Sequence, residues 1–448
     1  MSSYVTKKTP GDTAWFRHDR FGMFLHFGLY AMPARHEWIK TRECISEEKY
    51  DEYFKRFNPD LFDAREWAKQ AKAAGMKYAV LTTKHHEGFC LFDTKYTDYN
   101  IMNTPFGRDL VREYVDAFRA EGLKVGFYYS LIDWHHPQFP IDRHHPRRND
   151  PNAEELDKGR DVRKYAQYMR DQVSELLSNY GKIDILWFDF SYKGGDPQKE
   201  PNSIKAWMQH GGGKLKEQWE SEELIALARR LQPGIIIDNR SDIEQDLWTP
   251  EQFQPTEWPR HKETGELVTW EACQTFSGSW GYHRDEQTWK SPEILLNMLV
   301  DTVSLGGNLL MNVGPTSRGY FDYRAEEALR VYADWMKYNS RSIYGCTMAE
   351  PEFTAPEGTR LTQSEDGKRL YIHIKAYPFL SLCMKNLADK IAYAQFLHDG
   401  SEVLYTIGKS SEGVGDRVGL GDDENAVFFR LPAVKPHCLV PVIEVFLK

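Results

Sequence analysis

The chain reads as an α/β protein: an irregular (β/α)8-like, TIM-type barrel over residues 1–345, then a small β-sandwich over 346–448. Three observations predict this. Apolar, β-branched or aromatic runs that end in polar residues recur along the first ~340 residues and alternate with helical patterns, as parallel strands joined by crossovers do. About seven such units suit a barrel better than an open sheet. Beyond Tyr344–Pro356 the last long helical pattern gives way to short alternating runs separated by turns, and 448 residues exceed one ordinary core.

The strand runs are Phe21–Gly28, Lys77–Phe89, Leu123–Leu131, Lys182–Phe190, Gly234–Arg240, Leu267–Thr275 and Gly307–Pro315. Between them Ala64–Gly75, Asp109–Gly122, Asp161–Gly181, Glu222–Gln232 and Pro292–Leu305 carry apolar residues at three-to-four spacing, most stopping near a glycine. Arg324–Tyr338 is the last helix. The sandwich strands are expected at Leu370–Ile374, Ile391–Leu397, Val403–Ile407, Val427–Leu431 and Leu439–Phe446, with Ser410–Asp423 as a turn-rich connection.

Composition excludes several classes. The net charge of −9 is mild and basic residues are scattered, so no nucleic-acid footprint is expected, and Arg143–Arg148 reads as a solvated loop rim. The first residues lack the apolar stretch of a signal peptide, and no run of about 18 apolar residues occurs, so a soluble, cytoplasmic protein without membrane contact is expected. Six scattered cysteines with no Cys-x-x-Cys pair suit neither a disulfide framework nor a zinc ribbon.

The chemistry-bearing residues fall at strand ends, where barrels place their sites. Asp189 closes Leu-Trp-Phe-Asp-Phe, a carboxylate hemmed in by Trp187, Phe188 and Phe190 that needs donors or cations unless it is merely a turn aspartate. His26, His85-His86-Glu87, Tyr128-Tyr129-Ser130, Asp238-Asn239-Arg240, Glu271 and Asn312 occupy comparable positions. Aromatic residues make up 14% of the chain, with thirteen tryptophans, more than core filling needs; aromatic platforms beside histidines and carboxylates suit sugar rings. There is no Gly-x-Ser-x-Gly elbow beside His210-Gly-Gly-Gly213, Gly408-Lys409-Ser410 lacks the glycine a phosphate loop needs, and Gly413-x-Gly415 opens no helix. Histidines at two strand ends could hold a metal, though no His-x-His pair follows the first strand and no metal or other cofactor is expected. Glycoside hydrolysis needs only two facing carboxylates, about 5 Å apart for retention.

The segments Phe21–Gly28, Glu37-Trp38, Thr83–Phe89, Tyr128–Ser130, Leu186–Asp189, Trp270–Cys273, Ser279–Tyr282 and Ser304–Pro315 together resemble the glycoside hydrolase family 29 α-L-fucosidases, over roughly the first 345 residues. The resemblance implies a barrel missing some helices and retaining release of terminal α-L-fucose from fucosylated oligosaccharides or glycosides. It implies Asp189 as nucleophile, with His26, His86 or Arg260 as donors that keep it ionised. It implies His26, Glu37, Trp38, His85, His86, Tyr128, Trp187, Arg260 and Trp280 as the sugar-binding set. Strand alternation lets only one of Tyr128 and Tyr129 face the site, and Tyr128 is the expected one. Glu271 is expected as acid/base, its pKa raised by desolvation beside Trp270, with Glu257 as its rival. A metal-dependent barrel hydrolase and a non-catalytic carbohydrate-binding protein stand as alternatives. Linkage preference depends on loops such as Trp134–Asn149 and Ser191–Glu220, whose long insertions could also meet a neighbouring subunit in a homo-oligomer.

Overall fold

In the computed structural model of the chain the described residues are 3–193, 213–408 and 423–448. Seven parallel strands form one sheet: β1 Phe21–Leu25, β2 Tyr78–Lys84, β3 Lys124–Ser130, β4 Ile185–Asp189, β5 Ile236–Ile237, β6 Glu271–Thr275 and β7 Asn308–Val313. Their order is β5-β4-β3-β2-β1-β7-β6. The open edges are joined by an eighth, irregular stave that no apolar run in the sequence announces. Parallel bridges Asp238↔Leu247, Trp248↔Trp270 and Glu251↔Cys273 close the ring through Leu247–Glu251. Pro250 has no N–H to offer a ladder, but its carbonyl accepts from Cys273 N at 3.1 Å.

Alternation sorts the strand residues into two cores. Phe24, Tyr78, Val80, Tyr128, Ile185, Trp187, Ile236, Leu247, Cys273 and Leu310 fill the barrel interior. Their neighbours Met23, Leu25, Ala79, Leu81, Phe127, Tyr129, Leu186, Phe188, Leu309 and Met311 pack outward on the helices. Those helices lie where their periodicity put them, at Ala64–Ala73, Leu110–Ala120, Val162–Asn179, Ser221–Leu231, Pro292–Ser304 and Tyr323–Asn339. Asp63, Asp109, Asp161, Ser291 and Asp322 cap five of them by accepting a backbone N–H from the first turn.

The remaining strands are antiparallel: β8 Cys346–Met348, β9 Thr359–Ser364, β10 Arg369–Ile374, β11 Ser381–Met384, β12 Ile391–Phe396, β13 Tyr405–Gly408, β14 Asp423–Arg430 and β15 Val442–Leu447. They form a five-stranded sheet, β12-β15-β10-β9-β8, and a three-stranded sheet, β11-β14-β13. Leu370, Ile372, Leu382, Met384, Val427, Phe429, Ile443 and Val445 share the core they bury. β8, β9 and β11 are additions to the expected strands. Most of Ser410–Asp423 and much of Ser191–Glu220 lie outside the described residues, as do the Gly413-x-Gly415 motif, Lys409-Ser410 and most of His210–Gly213. The unit rests on the barrel through Trp335 Nε1, which donates to Val440 O at 2.9 Å, and the Lys375–Asp301 ion pair at 2.7 Å.

Candidate active site

The inward positions at the C-terminal strand ends are polar, and there a cleft of about 350 Å3 opens, lined by His26, Trp38, His85, His86, Tyr128, Trp187, Asp189, Arg240, Glu251, Cys273 and Trp280 with Phe24 and Phe190. Asp189 ends β4, and its side chain is only 13% exposed. Tyr128 Oη donates to its Oδ2 at 2.8 Å, and Arg240 Nη1 donates to its Oδ1 at 3.0 Å. Burial pushes the Asp189 carboxyl above the ordinary aspartate range, the guanidinium of Arg240 and the Tyr128 hydroxyl pull it down, and Glu251 pushes it up again. The next residue, Phe190, has a φ of +87°, a left-handed conformation unusual for an aromatic residue. Its ring lies against Trp38 and His86, 5.0 and 5.2 Å between centroids.

Arg240 follows β5 and joins two carboxylates. The same Nη1 also donates to Glu251 Oε2 at 2.6 Å, while Nε and Nη2 are held by Thr249 and the guanidinium lies 4.5 Å over the Trp187 ring. Because one nitrogen bonds both oxygens, at 3.0 and 2.6 Å, Asp189 Oδ1 and Glu251 Oε2 are separated by at most the sum of those lengths, about 5.6 Å. Glu251 stands at the end of the eighth stave with its side chain 42% exposed, so it reaches both cleft and solvent.

The histidines are held in defined tautomers. His26 Nδ1 lies 2.6 Å from Asn312 Oδ1, an acceptor only, so that nitrogen carries the proton. The Ser130 hydroxyl donates to Ile132 O at 2.8 Å, so it accepts from His86 Nδ1 at 2.6 Å. Burial lowers the His26 pKa to about 3 and that of His86 well below the usual range, so both rings are neutral with a bare Nε2. His86 Nε2 lies 4.0 Å from Asp189 Oδ2. Two acceptors face each other there, an arrangement that a hydroxyl donor between them satisfies. His85 stacks on Tyr128 at 5.6 Å and 13°, and its buried Nδ1 has no partner. Among the described residues no group of three or more His, Cys, Asp or Glu is arranged to hold a metal ion.

Four expectations require a different placement. Glu271 does not line the cleft: it begins β6, is 0% exposed, and lies at the opposite end of the barrel interior. Trp270 points outward, its Nε1 donating to Leu305 O, so alternation sends Glu271 inward at the floor. There Tyr78 Oη and Trp187 Nε1 donate to its two oxygens at 2.5 and 3.2 Å. Burial does push its carboxyl up to about 7, the expected direction, but away from the reacting centre. Arg260 is exposed and donates to Gly265 O in a turn that returns to the strands' N-terminal ends, and Glu257 is exposed on the same excursion. Arg240 and Glu251, not Arg260 and Glu257, meet at the cleft. Glu37 is buried beside the cleft wall, where Oε2 accepts from Trp280 N and Gly281 N at 3.1 and 2.9 Å; burial lifts its carboxyl to about 7. Its Oε1 lies 3.1 Å from His36 Nδ1. Tyr128 faces the cleft as expected, whereas Tyr129 turns outward to Gln172.

A sequence model of the α-L-fucosidases matches residues 3–341. The chain is 32% identical to the plasma alpha-L-fucosidase of Pongo abelii over 357 residues, 74% of this chain and 69% of that protein. Its fold is similar to that of alpha-L-fucosidase isoenzyme 1 from Paenibacillus thiaminolyticus, with a TM-score of 0.85, 43% identity and coverage of 97% and 98% of the two chains. It is also similar to an alpha-L-fucosidase from Bacteroides thetaiotaomicron, trapped as a covalent intermediate with 2-fluoro-fucosyl fluoride using a glutamate-to-glutamine mutant (TM-score 0.77, 25% identity, 99% and 98% coverage).

Proposed function

Because the chain belongs to the α-L-fucosidase family, we propose that Asp189 and Glu251 are the two carboxylates through which it works. The protein is an enzyme, a retaining exo-α-L-fucosidase. The observation that carries the residue assignment is the shared guanidinium nitrogen of Arg240, which holds one oxygen of each carboxyl group within about 5.6 Å of the other, as the close pairing of a double displacement requires. An Asp189 oxygen bonds to the anomeric carbon as the glycosidic C–O bond breaks, and Glu251 gives its proton to the departing oxygen. Water then attacks the anomeric carbon, its proton returns to Glu251, and Asp189 leaves as a carboxylate.

His26 and His86 offer bare Nε2 acceptors to fucose hydroxyls, the buried His85 Nδ1 lacks a partner of its own, and Trp38 and Trp280 wall the ring. The glutamine mutant used to trap the Bacteroides thetaiotaomicron intermediate supports a glutamate in proton transfer. We place the enzyme in the cytoplasm, a reading supported by six cysteines that are all free thiols.

The test is hydrolysis of 4-nitrophenyl α-L-fucoside by wild type, Asp189→Gly and Glu251→Ala, with 1H NMR identifying the first anomer. The expected results are α-L-fucose first, loss of turnover in Asp189→Gly, and azide rescue of Glu251→Ala with formation of the α-fucosyl azide. Release of the β-anomer by wild type, or a Glu251→Ala enzyme with wild-type rates on poor leaving groups, would overturn the assignment.

A further inference from the structure

Glu271 is a fully buried acid that the two-carboxylate chemistry does not use. Its surroundings connect it to that chemistry by a short chain of contacts. Its Oε2 receives the Trp187 indole N–H, the Trp187 ring lines the cleft, and the Arg240 guanidinium rests on that ring at 4.5 Å while bridging Asp189 and Glu251. Phe24 and Tyr128 flank the same indole at 5.2 and 6.0 Å. The other oxygen is fixed by Tyr78 Oη, itself in contact with Asn308 Nδ2 at 3.3 Å. We propose that Glu271 is a positioning residue, which locks the Trp187 indole from beneath and, through the face of that ring, sets the guanidinium that holds the nucleophile and acid/base together.

Two physical effects act in the same direction. The hydrogen bond fixes the ring's tilt, and an acceptor at Nε1–H makes the ring face more electron-rich, which strengthens its hold on a cation. The groups that face Glu271 are Tyr78 from β2, Trp187 from β4, Cys273 from its own strand and the neutral Asn308 from β7; its two hydrogen-bond donors are both uncharged. With its carboxyl lifted to about 7 by burial, Glu271 passes between charged and neutral forms close to neutrality. The grip on Arg240 is therefore expected to weaken as pH falls through that range.

This inference rests on Arg240 bridging the site, and its test is independent of whether Glu251 is the proton donor. The measurement is a double-mutant cycle of kcat on 4-nitrophenyl α-L-fucoside with Glu271→Leu, Trp187→Phe and the pair, with Glu271→Gln alongside. Glu271→Leu should lower kcat by on the order of 100-fold with little change in KM, the cost of a small misplacement of reacting groups. In the Trp187→Phe background, which has no indole N–H, the same change should cost less than about threefold. Glu271→Gln keeps an acceptor for Trp187 and an amide for the Tyr78 oxygen, with Asn308 Oδ1 free to take the Tyr78 proton. It should retain kcat within about tenfold and flatten any kcat limb near pH 7. Additive effects of the two substitutions, or azide rescue of Glu271→Leu, would overturn the proposal: the first would deny that Glu271 acts through Trp187, and the second would make it the acid/base. Should Glu271→Leu fail to fold, Glu271→Gln with an unaltered pH profile would refute it equally.

Discussion

Replacing Arg240 by methionine removes the one cation among the described residues that touches Asp189 while retaining an apolar stem over Trp187. In the native protein burial raises the Asp189 pKa and Arg240 opposes it; without the guanidinium that opposition is lost. An opposite charge in direct contact, as at 3.0 Å here, lowers a carboxyl pKa by roughly 1–3, so its removal should move the Asp189 titration to higher pH by that amount. As the proposed nucleophile Asp189 must be ionised, so the acid limb of kcat/KM should move in the alkaline direction. At any pH below that limb the ionised fraction falls about tenfold for every pH unit the limb moves, giving a loss of roughly 10- to 1,000-fold in mild acid and much less in base. A fucoside with a strongly acidic phenol as leaving group is the right substrate, because it needs little proton donation and so isolates the nucleophile. Arg240→Lys keeps the charge but cannot bond Asp189, Glu251 and Thr249 together, and should fall between wild type and Arg240→Met. An acid limb that does not move in Arg240→Met, with kcat/KM within about twofold throughout, would refute the role given to Arg240.

Three further outcomes are expected. Asn312 bonds His26 Nδ1 through Oδ1 and the Trp280 carbonyl through Nδ2, both at 2.6 Å, so Asn312→Leu should leave two buried groups unpaired, cost about 2–4 kcal/mol in kcat/KM and raise KM for fucosides. Asp142 is buried with Lys214 and Tyr192; burial would raise its pKa, yet these partners bring it down to about 2. A carboxylate depressed in the folded state stabilises above its unfolded pKa of about 3.9 and loses that contribution as pH falls towards about 2. Asp142→Asn should therefore lower unfolding free energy by about 2–3 kcal/mol at about pH 7, with the difference shrinking between about pH 5 and about pH 2 in denaturant titrations. Glu257→Ala and Arg260→Ala, both exposed and away from the cleft, should change stability by less than about 0.5 kcal/mol and leave the pH profile of hydrolysis unaltered.

What the letters reveal and what they hide have the same physical origin. A strand buried on both faces writes a long apolar run, so β1 to β4, β6 and β7 are legible, and so is the polar residue that ends or follows most of them: His26, His85, His86, Tyr128, Asp189 and Asn312. The six major helices are legible because one apolar stripe must face the sheet. The stave Leu247–Glu251 makes only scattered bridges, carries Pro250 and writes no period, so its terminal Glu251 has no strand to mark it. Arg240 is visible as a strand-end group, but a guanidinium's reach of several bonds detaches its position in sequence from the place where its charge acts. Glu271 is misplaced for a simpler reason: its motif points to the site, while its register does not. Trp270 packs outward against the Gly307 backbone, leaving Glu271 inward, and being the first residue of β6 it enters at the floor, far from Thr275 at the mouth. Inward direction and height along the strand are separate coordinates, and a site residue needs both. Asp189 satisfies them because it is inward and last on β4, whereas Glu271 satisfies only the first, which is why it can act on the reaction only through a side chain long enough to span the difference, the indole of Trp187.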